Sequence, residues 1–247
     1  MDVMLPCDTL SPRQAPMNSP ARLVWLFDVD GTLLTTDGAS REVFGRVVAR
    51  RVGGREDLSD IEFAGRTDPL ILADILRSRG AVFDAEDEAR FWDEIFDGMG
   101  DALGRRGRLL PGVPALLEAL SRRDGWVTAL LTGNMTQMAA VKLRHFGVRE
   151  RFVFGAFGEE GPDRNAVARV AVSRAADYHG VPPECCIVLG DTEHDIACAR
   201  VAGAAAVAVA TGARTRETLA AHGPDLLLDD FGSAAELMEW AEGLAGR

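Results

Sequence analysis

Short runs of apolar residues, each closed by a polar or glycine-bearing turn and then followed by helical spacing, constrain this chain more than any other feature. The runs are Leu23 to Phe27, Val127 to Leu131, Cys186 to Leu189, Ala206 to Val209 and, after an opening acid, Asp225 to Leu228. A run that is apolar at every position suits a strand buried on both faces, as in a parallel sheet. Helical spacing occupies Val113 to Leu120, Met138 to Phe146, Ala166 to Tyr178 and Ala234 to Leu244. Strands alternating with helices imply right-handed βαβ crossovers. The expected fold is therefore α/β, with a doubly wound, Rossmann-like parallel sheet as its core.

One segment breaks the alternation. From Thr35 to Arg108 there is no apolar run of the buried-strand kind, but helical stretches cover Arg41 to Val52, Pro69 to Arg79 and Asp87 to Leu103. This is too long for a βα loop. It reads as a second, helical domain inserted after the first strand. The division is residues 22–36 and 108–247 for the α/β core and 37–107 for the insert. Residues 1–21 carry Pro6, Pro12, Pro16 and Pro20, with few cations and no apolar core. That composition is unlike a signal peptide and is expected to form a disordered leader.

Composition narrows the function. At 247 residues, 47% hydrophobic and 26% charged, the chain has a globular balance. Its net charge of −11 repels nucleic-acid phosphates and anionic membranes, so neither is an expected partner. The longest apolar run, Val201 to Ala210, falls short of the ~20 residues of a membrane span. A cytoplasmic location is expected. The four cysteines, Cys7, Cys185, Cys186 and Cys198, form neither a disulfide framework nor a zinc pattern. Lys142 is the sole lysine; in Val141-Lys142-Leu143-Arg144 it reads as a solvated surface charge.

In a parallel sheet the binding crevice lies beyond the carboxyl ends of the strands. Asp28-Val29-Asp30-Gly31-Thr32 follows the first run, Thr132-Gly133-Asn134 the second, and Gly190-Asp191-Thr192-Glu193-His194-Asp195 the third. Singly, each could be a turn or a helix cap. Together they deliver four aspartates, Asp28, Asp30, Asp191 and Asp195, to one edge, where the carboxylates must share protons or hold a metal. An all-oxygen donor set points to Mg²⁺.

These segments, with Leu33, resemble motifs one, two and four of the haloacid dehalogenase superfamily, in its phosphatase branch and in that family's order. The resemblance runs from about Arg22 to Leu244. It implies that the insert is a type-one helical cap. Gly65-Arg66-Thr67-Asp68 resembles, more weakly, a loop of phosphoglycolate phosphatase-like members.

The resemblance also implies roles. Asp28 would be the nucleophile that forms an aspartyl-phosphate, and Asp30 the acid and base for leaving group and water. Mg²⁺ would be held by Asp28, the Asp30 carbonyl and Asp191, with Asp195 orienting its neighbours. Thr132 and the N–H groups of Gly133 and Asn134 would bind phosphoryl oxygens at a helix start. The family's third motif usually supplies a lysine before the helix leading to motif four. Here Arg164, in Gly161-Pro162-Asp163-Arg164-Asn165, is the cation expected in that place, with Lys142, the sole lysine, left open as the alternative. Arg66 is a candidate substrate contact, with a structural ion pair as its alternative.

The expected activity is Mg²⁺-dependent hydrolysis of a small phosphomonoester, of phosphoglycolate or sugar-phosphate type. The insert contains no lysine for a Schiff base, which excludes the phosphonate hydrolases of the superfamily. The presence of Asp30 separates the chain from haloacid dehalogenases proper. A phosphohexose mutase, and a catalytically inactive binding module on the same scaffold, stay open as alternatives. The partner expected is a small phosphorylated metabolite, with a homodimer open through the cap face.

Overall fold

The computed structural model describes residues 21–232 and 234–245. The leader expected over residues 1–21 therefore lies, except for Ala21, outside the described residues. Six strands form one parallel sheet: β1 (Leu23–Phe27), β4 (Trp126–Leu131), β5 (Gly155–Ala156), β6 (Cys186–Gly190), β7 (Ala205–Val209) and β8 (Leu226–Leu228). Their order across the sheet is β5-β4-β1-β6-β7-β8. The chain thus starts in the middle and winds outward in both directions, as a doubly wound sheet does.

The alternation of side chains in β1 shows why an unbroken apolar run was needed. Leu23, Trp25 and Phe27 enter the apolar cluster on one face, while Val24 and Leu26 enter the cluster on the other. The first face is covered by α4 (Val113–Ser121), α5 (Thr136–His145) and α9 (Ala234–Ala245). The second is covered by α6 (Arg164–His179), α7 (Glu193–Ala202) and α8 (Arg216–Ala221). Neither α7 nor α8 stood out in the sequence. The first is short and weakly amphipathic, the second a helix of 6 residues.

Between β1 and α4 the chain leaves the sheet through α1 (Ala39–Val52), α2 (Asp68–Arg79) and α3 (Ala85–Arg106). These helices bury an apolar cluster of their own, with Phe44, Phe91, Trp92, Ile95 and Met99 at its centre. Met138 of α5 joins that cluster. The outgoing and returning segments pair as a short antiparallel ribbon of β2 (Leu34–Thr35) and β3 (Arg108–Leu109). Thr35 and Arg108, the limits read from sequence for the segment without a buried strand, are opposite each other in this ribbon. Among the described residues, no helix is long and apolar enough to cross a membrane. Cys186 and Cys198 are buried and unpaired, and Cys185 is partly buried and unpaired.

Candidate active site

Adjacent strands bring the acids together. β1 lies between β4 and β6, so the turns after these three strands share one edge of the sheet. Asp28 continues β1, its N–H donating to the Leu189 carbonyl of β6 at 2.9 Å. The chain then turns at Gly31, whose φ of 79° lies in the left-handed region. A Cβ at Gly31 would also overlap the Asp191 carboxylate, and so would a Cβ at Gly212, beyond β7. Asp191 therefore sits against two backbones that carry no side chain.

Asp28, Asp191 and Asp195 are buried, and each offers a carboxylate oxygen within 4.8 Å of the others. Asp195 is already committed. One oxygen accepts from Arg164; the other accepts from the Thr192 N–H at 3.0 Å and hydroxyl at 2.6 Å. It orients the start of α7 and the Arg164 guanidinium. Burial pushes the Asp28 carboxyl above its usual range, with Arg164 opposing and Asp195 and Asp30 adding to the rise. Asp191 is driven well above it, by burial and by the charges of Asp195 and Asp28. Two buried carboxylates that repel each other, at a site walled by glycine and offering only oxygen, fit a hard divalent cation. Mg²⁺ suits that donor set.

Each of the two catalytic candidates has its own cation. Arg164, at the first position of α6, places Nη2 3.2 Å from Asp28 Oδ2. Lys142 corrects the sequence reading: it is not a solvated charge but 2% exposed, with Nζ 2.6 Å from Asp30 Oδ2. The reason is its phase on α5. Lys142 lies four residues after Met138 and beside Leu143, on the stripe that the helix buries. That spacing was readable, but an apolar stripe was not expected to include a charge.

The segment Thr132-Gly133-Asn134 also differs from expectation. The Asn134 N–H was assigned to phosphoryl oxygens, yet it donates to Thr132 Oγ1 at 3.2 Å. The Asn134 side-chain amide donates to Asp30 Oδ2 at 2.7 Å and to Thr132 Oγ1 at 3.2 Å. The next two N–H groups at the start of α5 are taken by carboxylates of Asp68 and Glu159. Thr132 is wholly buried beneath the loop, whereas Gly133 and Asn134 line the cavity above it.

Asp68 was read only as part of the loop motif Gly65-Arg66-Thr67-Asp68. It is a buried acid that joins the insert to the core. Its carboxylate accepts the Met135 N–H at 2.8 Å, and its own N–H donates to the Gly133 carbonyl at 2.7 Å. Burial lifts its carboxyl to about 7, with the Lys142 charge opposing. A Cβ at Gly133 would overlap the Arg66 carbonyl, so glycine permits this close approach.

A cavity of about 330 Å³ opens between the strand ends and the insert. Asp28, Asp30, Lys142 and Arg164 line it from the core, and Phe63 and Arg66 from the insert. Arg66 pairs with Asp74 within the insert while lining this cavity. Arg41, on the same wall, lies over the Phe63 ring at 4.3 Å and donates to the Ile61 carbonyl at 3.0 Å. His194 is exposed, with the Gly65 backbone close against its ring.

Comparison with known proteins agrees with this geometry. The family model for haloacid dehalogenase-like hydrolases matches residues 25–200. A 5'-nucleotidase of Pseudomonas aeruginosa is 29% identical over 220 residues, covering 87% of this chain and 94% of that one. A phosphoglycolate phosphatase of Vibrio vulnificus is 27% identical over 219 residues, covering 86% and 93%. Among solved structures, CbbY from Rhodobacter sphaeroides in complex with phosphate aligns with a TM-score of 0.68 at 26% identity. That alignment covers 86% of this chain and 96% of that one.

Proposed function

The chain belongs to the haloacid dehalogenase-like hydrolases and is a phosphoric monoester hydrolase, and from that premise we propose that it cleaves a small phosphomonoester through an aspartyl-phosphate on Asp28, with Mg²⁺. Residues 37–107 act in this reading as a cap over the cleft, and the alcohol portion of the substrate lies between cap and core. The observation that carries the reading is the placement of Asp28 and Asp30 in one cavity wall, each against its own buried cation.

Asp28 attacks phosphorus, forming the acyl-phosphate bond as the ester P–O bond breaks. Asp30 gives a proton to the departing alkoxide, then takes one from the water that hydrolyses the acyl-phosphate. Free Asp28 and inorganic phosphate result. Arg164 lies along Asp28, where its fork can hold both the nucleophile and the phosphoryl oxygens. Gly133, and Arg66 on the cap, complete the walls around the bound ester. Asp28, the Asp30 carbonyl and Asp191 would hold Mg²⁺, with Asp195 orienting Arg164 beside them. When bound there it supplies positive charge against the phosphoryl oxygens.

The test is hydrolysis of a panel of phosphomonoesters, phosphoglycolate, sugar phosphates and nucleotides included, with Mg²⁺ and after its removal. Turnover that needs Mg²⁺ and vanishes in Asp28→Asn is expected, with a base-labile phosphoenzyme trapped by acid quench. Turnover that persists in Asp28→Asn overturns the aspartyl-phosphate route.

A further inference from the structure

Four cations line the cavity, and three of them are held by carboxylates: Arg164 by Asp28 and Asp195, Lys142 by Asp30, and Arg66 by Asp74. Arg41 differs. It pairs with no carboxylate among the described residues, and its fixed partners are uncharged. Nη1 donates to the Leu58 carbonyl and, at 3.0 Å, to the Ile61 carbonyl, while the guanidinium lies over the Phe63 ring at 4.3 Å. A guanidinium carries five N–H donors. The two on Nη1 are thus engaged, and those on Nε and Nη2 meet no acceptor among the described residues. Neither of these nitrogens is sealed from solvent, whereas Nε of Arg66 is buried without a partner.

The edge left open is the one that suits an anion. Nε–H and one Nη2–H point the same way, the geometry that grips a carboxylate or a phosphate through two bonds. Phe44, Phe63 and Ile71 line the insert side beside Arg41, and an apolar wall strengthens such a grip. Two carbonyls and a ring already hold the side chain, so little ordering is left for a ligand to impose. Arg41 is the third residue of α1, which begins just beyond the β2–β3 ribbon, so it stands near the place where the insert joins the core.

In the reaction proposed above, the phosphoryl group lies against Asp28 and Arg164 on the core wall, which leaves the charge of Arg41 on the insert wall unmatched. Resting on that reading, we propose that Arg41 determines specificity by binding a second anionic group, a carboxylate or a second phosphate, carried on the alcohol portion of the ester. The enzyme then selects phosphomonoesters charged at both ends over those whose other end is neutral. The same contact orients the substrate, since an anion at the insert wall and a phosphoryl group at the core wall fix two points of one molecule.

The experiment measures kcat/KM on three pairs of esters, the members of each pair differing in the second anion: 2-phosphoglycolate and 2-hydroxyethyl phosphate, 3-phosphoglycerate and glycerol 3-phosphate, glucose 1,6-bisphosphate and glucose 6-phosphate. The first two pairs test a carboxylate and the third a phosphate. p-Nitrophenyl phosphate, which has no second anion, reports the phosphatase itself. Wild type, Arg41→Met and Arg41→Lys are compared, with folding checked by circular dichroism and Tm. Wild type is expected to favour the anionic member of at least one pair by about tenfold or more. Arg41→Met, which keeps an apolar stem over Phe63, is expected to lower that ratio by about 10- to 100-fold, as loss of a hydrogen bond to a charged group does. Arg41→Lys, which keeps the charge without the fork, is expected to retain part of it.

A residue that only clamped the loop from Leu58 to Phe63 would affect both members of a pair alike, so an unchanged ratio in Arg41→Met overturns the assignment. A wild-type protein that cleaves p-nitrophenyl phosphate but favours no anionic ester overturns this inference alone. One that cleaves none of these esters overturns the proposed function and this inference with it. Should Arg41→Met fail to fold, the ratios in Arg41→Gln and Arg41→Lys make the same comparison.

Discussion

Arg164 Nη2 stands 3.2 Å from Asp28 Oδ2, and both side chains are only 8% exposed. The same guanidinium bonds Asp195, so one cation serves two buried carboxylates. Breaking a buried pair by removing one partner leaves an uncompensated charge, which destabilises by about 3–5 kcal/mol. Arg164→Ala is therefore expected to lose that much stability in urea unfolding and to lose turnover. Arg164→Lys keeps the charge but not the reach of Nη2, which alone holds both carboxylates, and falls between the two. An Arg164→Ala variant as stable as wild type would show that the pair contributes nothing net.

Gly212 is exposed, yet a Cβ there would overlap Asp191. Gly212→Ala is expected to fold normally while displacing that carboxylate. Displacing a group that sets a ligand's geometry weakens metal binding by about 10- to 100-fold. A Mg²⁺ titration followed by calorimetry checks this, as does the rise in Tm with added MgCl₂, which should be smaller in the variant. Equal affinity in the two proteins would remove Asp191 from the metal site.

Asp68 gives a pH dependence whose sign can be worked out. Burial raises its carboxyl from 3.8 to about 7, so the fold disfavours the ionised form. That penalty is absent below pH 3.8, grows as pH rises towards 7 and is level above it. Asp68→Asn keeps an oxygen for the Met135 N–H and carries no such penalty. The variant is expected to gain Tm over wild type as pH rises from 5 to about 7, with no further gain at pH 8. A difference that shrinks across this range would contradict the burial argument.

Gly133→Ala places a methyl group on the Arg66 carbonyl, and the Asp68 N–H already binds the Gly133 carbonyl. The loop cannot retreat without breaking that bond. The expected result is a fall in kcat/KM of about 10²-fold through misplacement of the loop from Thr132 to Asn134 that lines the cavity, with the fold retained. Steady-state kinetics on any ester that the wild type cleaves would show it.

Much of this was legible in the sequence because the residues concerned are local. β1 and β6 begin and end within a residue of their apolar runs, since a strand buried on both faces admits nothing polar. Asp28, Asp30 and Asp191 follow directly from those strand ends. Arg164 was proposed from the resemblance, as the cation before the helix leading to the last motif, and the structure sets it beside Asp28. The surface reading of Lys142 was wrong, and the role of Asp68 went unread, because their partners are remote, 112 residues away for the lysine and 67 for the aspartate. The phase of Lys142 on α5 was visible, but a lysine on a buried stripe makes sense only once its carboxylate is known. Asp68 was read only as the end of a loop motif, and only packing shows that it caps another helix.

The paired bonds between Asp68 and the segment from Gly133 to Met135 bear on how such enzymes diversify. Substrate choice is usually imagined as residing in an exchangeable module that can be cut at its two connecting strands and replaced. Here the helical insert, which we propose to be such a module, is also stitched to the core at a third place. A chimaera that moves the helices alone would carry Asp68 to a foreign partner, so recombination between relatives should succeed only when both sides of that seam are inherited together.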